Sequence, residues 1–236
     1  MRFIDSVLQP LSCAPGVVRR ACMTRDEVPG VVQEHRLIAI LRGDFRGREV
    51  SLARALLESG VRALEVSTVS PEYALVIRRM ADALGPQVAV GVGTVLNTEH
   101  VAAAADAGAC FMVAPNTNAA VIANARDAGL AVFPGAYSPT EILEAMECGA
   151  DAVKLFPAVT LGPDYVRALR GPLPGVRLIP TGGINFENIS RYFEAGAWAV
   201  AVGSELVRSD ESDLDGWANL RQRARRFVEL VPKRNA

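Results

Sequence analysis

Lys154 lies in the run Ala152-Val153-Lys154-Leu155-Phe156-Pro157, an apolar stretch with the composition of a buried strand. The chain uses arginine 23 times and lysine only twice, the other being Lys233 near the C-terminus. An ammonium inside a strand is costly to bury unless it has a partner or a chemical task. Arginine keeps its proton in any protein setting, whereas a desolvated lysine gives it up. The residue type that can become a neutral amine has thus been placed in an apolar shell of Val153, Leu155 and Phe156. The chemistry this points to is imine formation with a ketone. A salt-bridged or snorkelling lysine at a strand end is the structural alternative.

Glu65, in Ala63-Leu64-Glu65-Val66-Ser67, is a matching anomaly: a carboxylate in an apolar run. Paired with an arginine it would be structural. Paired with Lys154 it makes an acid/base beside a nucleophile. Arg42 follows Leu37-Ile38-Ala39-Ile40-Leu41 and supplies a planar fork that can hold a carboxylate at two points, or else it is an exposed loop arginine. His35 and His100, the only histidines, have no ligand-like spacing and fall on helices or helix edges, so the residues argue against a metal and for chemistry that needs no cofactor.

Eight β-rich apolar runs recur from residue 37 onward: 37–41, 63–67, 88–95, 111–115, 131–137, 152–157, 177–181 and 198–203. Amphipathic stretches of helical period separate them, including 50–58, 71–84 and 99–107. Gly60, Gly108, Gly129, Gly149 and Gly196 stand where each helix must end before the next strand. Near-continuous apolar strands alternating with helices imply a parallel sheet covered on its outer face. Eight such units close most economically as a (β/α)₈ TIM barrel, an α/β fold. An open doubly wound sheet is the alternative, disfavoured because the first strand lacks a GxGxxG turn. In a barrel, ligands meet the C-terminal ends of the strands. The polar residues there are Arg42, Glu65, Ser67, Thr94, Asn116, Lys154, Thr181 and Ser204. Gly182-Gly183 and Gly203-Ser204 follow the seventh and eighth runs and lead toward helix N-termini, where backbone N–H groups would gather a phosphate. Gly91-Val92-Gly93-Thr94 lacks the ending of a nucleotide loop and reads as close packing at the barrel wall.

Half of the 236 residues are apolar, enough for one large core, and the formal net charge is −1. Neither nucleic acid nor an acidic membrane surface is favoured as a partner at that charge, and a small molecule is. No apolar run approaches the ~18 residues of a membrane span. Arg19 and Arg20 follow a weakly apolar stretch instead of preceding it, the wrong order for a secretory signal. Residues 1–22 read as an N-terminal extension, either a disordered tail or a misassigned start, because Met23-Thr24-Arg25-Asp26-Glu27 looks like a helix start; residues 23–236 read as one barrel domain. Cys13, Cys22, Cys110 and Cys148 form no CxxC and read as buried thiols of a reducing, cytoplasmic compartment.

From about Leu37 to Arg208 the chain resembles the 2-keto-3-deoxy-6-phosphogluconate and 2-keto-3-deoxy-6-phosphogalactonate aldolases. The likeness rests on 37–43 (LIAILRG), Glu65, 93–96 (GTVL), 114–116 (APN), 133–135 (FPG), 154–157 (KLFP), 181–183 (TGG) and 203–204 (GS). It implies a class I aldolase with Lys154 as the Schiff-base lysine and Glu65 as the general acid/base. Arg42 and Thr94 would then bind the pyruvate carboxylate, and Pro115, Phe156 and Thr181 would lie against the substrate. Gly182, Gly183, Gly203 and Ser204 would cradle its phosphate. A homotrimer is implied too, with no cofactor, pyruvate as one product, and a phosphorylated keto-deoxy sugar acid as substrate. LIAILRG, Ser70-Pro71, Pro115-Asn116 and 161–165 (LGPDY) resemble the galactonate branch. Thr181 resembles the gluconate branch, but Val69 replaces an arginine that gluconate relatives carry. The balance favours the galactonate compound. Two other readings fit a barrel with a phosphate turn: an isomerase or synthase that forms no imine, and a non-catalytic sensor of phosphorylated sugar acids.

Overall fold

A computed structural model describes residues 23–208 and 217–232. The extension expected over residues 1–22, with Cys13 and Cys22, lies outside them, as does Lys233. Among the described residues, helix α1 (Val28–His35) precedes strand β1 (Leu37–Leu41), and α2 (Glu49–Glu58) leads to β2 (Ala63–Ser67). The alternation continues with α3 (Tyr73–Leu84), β3 (Ala89–Gly93), α4 (Thr98–Asp106), β4 (Phe111–Val113), α5 (Ala119–Asp127), β5 (Ala131–Phe133) and β6 (Gly135–Ala136). It ends with α6 (Pro139–Glu147), β7 (Val153–Leu155), α7 (Ala158–Arg170), β8 (Leu178–Pro180), α8 (Ile189–Glu194), β9 (Val200–Val202) and α9 (Ala218–Leu230).

Local chemistry sets these boundaries. Asn97 caps α4 by accepting from His100 N at 2.9 Å, and Ser138 and Glu141 cap α6 reciprocally. Gly149 ends the same helix at φ +92°, where its N–H donates to Met146 O at 2.9 Å while Ala150 N–H reaches back to Ala145 O at 3.0 Å. The expected strand 131–137 is two strands, because Pro134 has no N–H for the ladder and interrupts β5 before β6. The expected strand 88–95 stops at Gly93, since Thr94 takes a left-handed φ of +59° that no strand continues through. Met23–Glu27 opens α1 as a turn in which Glu27 accepts from Thr24 N at 2.7 Å, the helix itself starting at Val28.

Every strand pairing is parallel. One curled six-stranded sheet runs β5-β4-β3-β2-β1-β9, and a three-stranded one runs β6-β7-β8. The two meet at both edges. Lys154 N donates to Pro134 O at 2.8 Å at the β5/β6 break, and Thr181, just past the end of β8, bridges Ala201 within β9. Two apolar clusters follow from strand periodicity. Residues of one parity, such as Leu64, Val66, Val90 and Val153, pack under the helices. Those of the other parity, such as Ile38, Ala63, Phe111, Phe133 and Ile179, pack together inside the curl. Val28 and Val32 of α1 join that inner cluster, so α1 closes the end away from the strand C-termini. There Arg25 pairs with Asp151 at 3.0 Å. Among the described residues no helix is long and apolar enough to cross a membrane.

Candidate active site

Glu65 and Lys154 share the inner parity of their strands, Glu65 two residues on from Ala63 and Lys154 two residues on from Ala152, both members of the inner cluster. β2 and β7 lie in different sheets, yet the charge of Lys154 acts on the Glu65 carboxyl, so the two side chains share the interior that the inner cluster lines. Glu65 is 1% exposed and Lys154 is 6% exposed. Glu65 Oε2 is fully buried with no hydrogen-bond partner, so the carboxylate is kept in place by packing and by charge. Burial pushes its pKa up from the ordinary carboxylate value, and the positive charges of Lys154 and then Arg42 pull it partly back. A buried carboxyl held toward its neutral form beside an amine is the arrangement that proton shuttling requires. Lys154 Nζ stands 5.0 Å from the centre of the Phe156 ring, so part of the expected apolar shell is there, with Phe156 itself partly exposed.

Glycines make the room for this. Gly93 is the partner of Ser67 in the β2/β3 register, and a side chain there would overlap the Glu65 carboxyl group. Gly91, one inner position earlier, receives the face of the Phe111 ring. Gly135 lets β6 approach the Pro115 backbone, which brings half-buried Pro115 to the same rim as Lys154, whose register partner is Gly135. The close-packing reading of residues 91–94 is what the geometry shows.

Arg42 follows β1 with an exposed side chain that has no hydrogen-bond partner among the described residues. Thr94 follows β3, half-buried, with Oγ1 at 2.8 Å from Ser67 Oγ. Thr181 follows β8 fully buried, its hydroxyl donating to Ile179 O at 3.0 Å while its lone pairs remain able to accept. Gly182 and Gly183 follow it at φ +89° and +79°, and the N–H groups of Gly183 and Ser204 have no partner among the described residues. Gly203 and Ser204 sit on the adjoining strand end. All the site residues expected from the sequence therefore lie on one rim. One expectation needs correction. The turn after β8 does not run straight into a helix: Asn185 and Asn188 cap each other's backbone N–H groups first, and α8 starts only at Ile189. Any anion there meets N–H groups of the turn itself.

Asn116 is exposed at the rim; its side chain donates to Thr117 O at 3.5 Å and its carbonyl accepts from Gly135 N at 3.3 Å. His35 ends α1, and His100 lies in α4 with its ring edge-on to Tyr73. Among the described residues no three His, Cys, Asp or Glu side chains gather as a metal site. Cys110 is buried as expected, whereas Cys148 is only half-buried. Sequence reasoning gave no role to Ser67, Thr68 or Gly93 in holding the site. The one signal was the alternation of glycines at 91 and 93, which marks an inner face with no side chains.

An amine, a buried carboxyl of raised pKa and a guanidinium at the C-terminal rim of a parallel α/β sheet make up the equipment of an enzyme that works on keto acids. The chain belongs to the KDPG and KHG aldolase family, whose model matches residues 28–222, and it is accordingly a carbon–carbon lyase. The 2-dehydro-3-deoxy-6-phosphogalactonate aldolase of Escherichia coli K12 is 37% identical over 177 residues, covering 75% of this chain and 86% of that one. A native KDPGal structure superposes with a TM-score of 0.78 at 35% identity, covering 82% of this chain and 93% of its own. A KDPG aldolase from Legionella pneumophila, with pyruvate captured as a covalent carbinolamine intermediate, superposes with a TM-score of 0.75 at 26% identity. That match covers 84% of this chain and 96% of that one.

Proposed function

We propose that this aldolase cleaves 2-keto-3-deoxy-6-phosphogalactonate to pyruvate and glyceraldehyde 3-phosphate through an imine on Lys154. The observation that carries the reading is the pair of buried, inner-face groups, Lys154 and Glu65, the first acting on the second by its charge and the second with an unpaired oxygen. In the neutral state the Lys154 amine attacks the C2 ketone. Glu65 gives a proton to the resulting alkoxide and takes one back from the attacking nitrogen; it then gives that proton to the departing hydroxyl, water leaves, and Glu65 is left as the carboxylate. The protonated imine then accepts the electron pair of the C3–C4 bond as that bond breaks, and the C4 hydroxyl proton passes to the Glu65 carboxylate as glyceraldehyde 3-phosphate forms. Protonation of the enamine at C3, with Glu65 as donor, regenerates the imine. Water hydrolyses it to pyruvate and free lysine. Arg42 and Thr94 hold the carboxylate end, and the N–H groups of Gly183 and Ser204 receive the phosphate. The carbinolamine held by the Legionella enzyme supports the imine route.

The same reading takes residues 23–236 as one domain, with β5 and β6 acting as a single interrupted strand and eight β/α units closing into a barrel. The bonds at both sheet edges support closure. It also takes the working protein as a cytosolic homotrimer, which light scattering tests. The galactonate compound is favoured by the Escherichia coli relative and by the absence of an arginine at Val69. The test is release of pyruvate from the gluconate and galactonate compounds, assayed side by side on the wild type and on Lys154→Ala. The expected result is a higher kcat/KM for the galactonate compound and no turnover by the variant. Full activity of Lys154→Ala, or no pyruvate from either compound, overturns the reading.

A further inference from the structure

We infer that Ser67 is a positioning residue that turns the Thr94 hydroxyl into an obligatory hydrogen-bond donor toward the keto-acid carboxylate. The inference rests on the proposed role of Thr94 as a carboxylate binder and goes one residue further, to what sets that hydroxyl's direction.

Donor counting carries the step. Ser67 is 0% exposed, and among the described residues its Oγ has a single partner, Thr94 Oγ1 at 2.8 Å. Two hydroxyls that share one hydrogen bond have one proton in it and one left over. If Thr94 donated, the leftover proton would be that of Ser67, buried without an acceptor and shut off from water. If Ser67 donates, the leftover proton belongs to Thr94, which is half-buried and open to the rim. Burial favours the second arrangement, because an unmade bond is costly where water cannot replace it. The Thr94 hydroxyl is thereby left with a free proton and an occupied lone pair. It is suited to an anionic oxygen and poorly suited to a donor.

The neighbouring backbone fixes the same residue. Thr94 has φ +59°, a conformation that a β-branched side chain rarely takes and that the surroundings must enforce. Thr68 supplies the restraint, its hydroxyl donating to Thr94 O at 2.8 Å and its N–H to Gly93 O at 2.9 Å. Ser70, which ends the same turn, accepts from Gly43 N at 3.2 Å, next to Arg42. Ser67, Thr68 and Ser70, at the end of β2 and just past it, therefore touch both segments expected to hold the carboxylate, and Ser67 is the one that sets a proton's direction.

A double-mutant cycle read by calorimetric titration with pyruvate tests this, since it registers binding whether or not an imine forms. The proteins are the wild type, Ser67→Ala, Thr94→Val and the double variant. Ser67→Ala only removes atoms from a buried position, and it is expected to weaken pyruvate binding roughly three- to tenfold, the worth of one oriented hydrogen bond. Thr94→Val should weaken it at least as much, and adding Ser67→Ala to Thr94→Val should change nothing further. An unchanged affinity in Ser67→Ala, or the same loss in both backgrounds, overturns the positioning role while leaving Thr94 as a binder. Thr94→Val with wild-type affinity overturns the carboxylate role of Thr94 and the inference with it. No binding of pyruvate by the wild type overturns the pyruvate reading as a whole.

Discussion

Replacing Glu65 by Gln should make this protein more stable and far less active, and the two effects should separate with pH. The side chain is 1% exposed, with one carboxylate oxygen unpaired, and its pKa is raised chiefly by burial, against the pull of Lys154 and Arg42. Below the unfolded-state value of about 4.3 both states hold the proton and the site is neutral to stability. Between that value and the raised folded value the unfolded chain ionises while the folded one retains its proton. Stability therefore falls as pH rises through the window. Gln keeps the shape and does not titrate. The variant should gain on the order of 1–3 kcal/mol at neutral pH, the cost of a buried group left without its partner, and the gain should vanish near pH 4. For a chain of this size that is roughly 2–4 °C in melting temperature per kcal/mol. Turnover should fall by about 10² to 10⁴, the usual worth of a positioned acid/base, while pyruvate still binds. Thermal melts from pH 4 to 8 and steady-state kinetics on both proteins provide the readout. A variant that is less stable at pH 7, or one with wild-type turnover, refutes the reasoning.

Thr181→Val should shift the ratio of kcat/KM for the gluconate and galactonate compounds roughly three- to tenfold toward galactonate, because a buried hydroxyl at the end of β8 is lost; equal losses for both would assign Thr181 to general positioning. In Gly93→Ala the new methyl overlaps the Glu65 carboxyl, so we expect a loss of about 1–3 kcal/mol in urea unfolding and a fall in turnover; normal values would show that the carboxyl is not seated over residue 93. EDTA should leave the rate unchanged, as no metal-ligating cluster exists among the described residues, and inhibition reversed by zinc would contradict the imine route.

The sequence was most readable where one local rule dominated. The runs 37–41 and 63–67 match β1 and β2 end to end, because short β-rich stretches flanked by Arg36 and Arg42, and by Arg62 and Thr68, leave little choice of boundary. Where a backbone group overrode the pattern, the boundary moved: Pro134 cut the fifth run and the left-handed Thr94 ended the third. Lys154 and Glu65 stood out because charge inside an apolar strand is rare enough to need a reason. Their shared inner position follows from strand parity. The Ser67–Thr94 pair could not be read this way, since it depends on β2 and β3 lying in the register that sets Ser67 against Gly93. The turn after β8 escaped for a similar reason. Its glycines were visible, whereas the mutual capping of Asn185 and Asn188 that delays α8 to Ile189 needs three-dimensional closure of the turn.

The claim on which everything else depends is that the buried amine of Lys154 bonds covalently to the C2 carbon of a keto acid. Borohydride reduction in the presence of pyruvate, followed by mass spectrometry of the intact chain and of its peptides, tests it directly. The account predicts one reduced pyruvyl group per chain, located on the peptide that carries Lys154, with activity lost in proportion to labelling. An unlabelled protein that remains active, or a label on another residue with Lys154 unmodified, would contradict it.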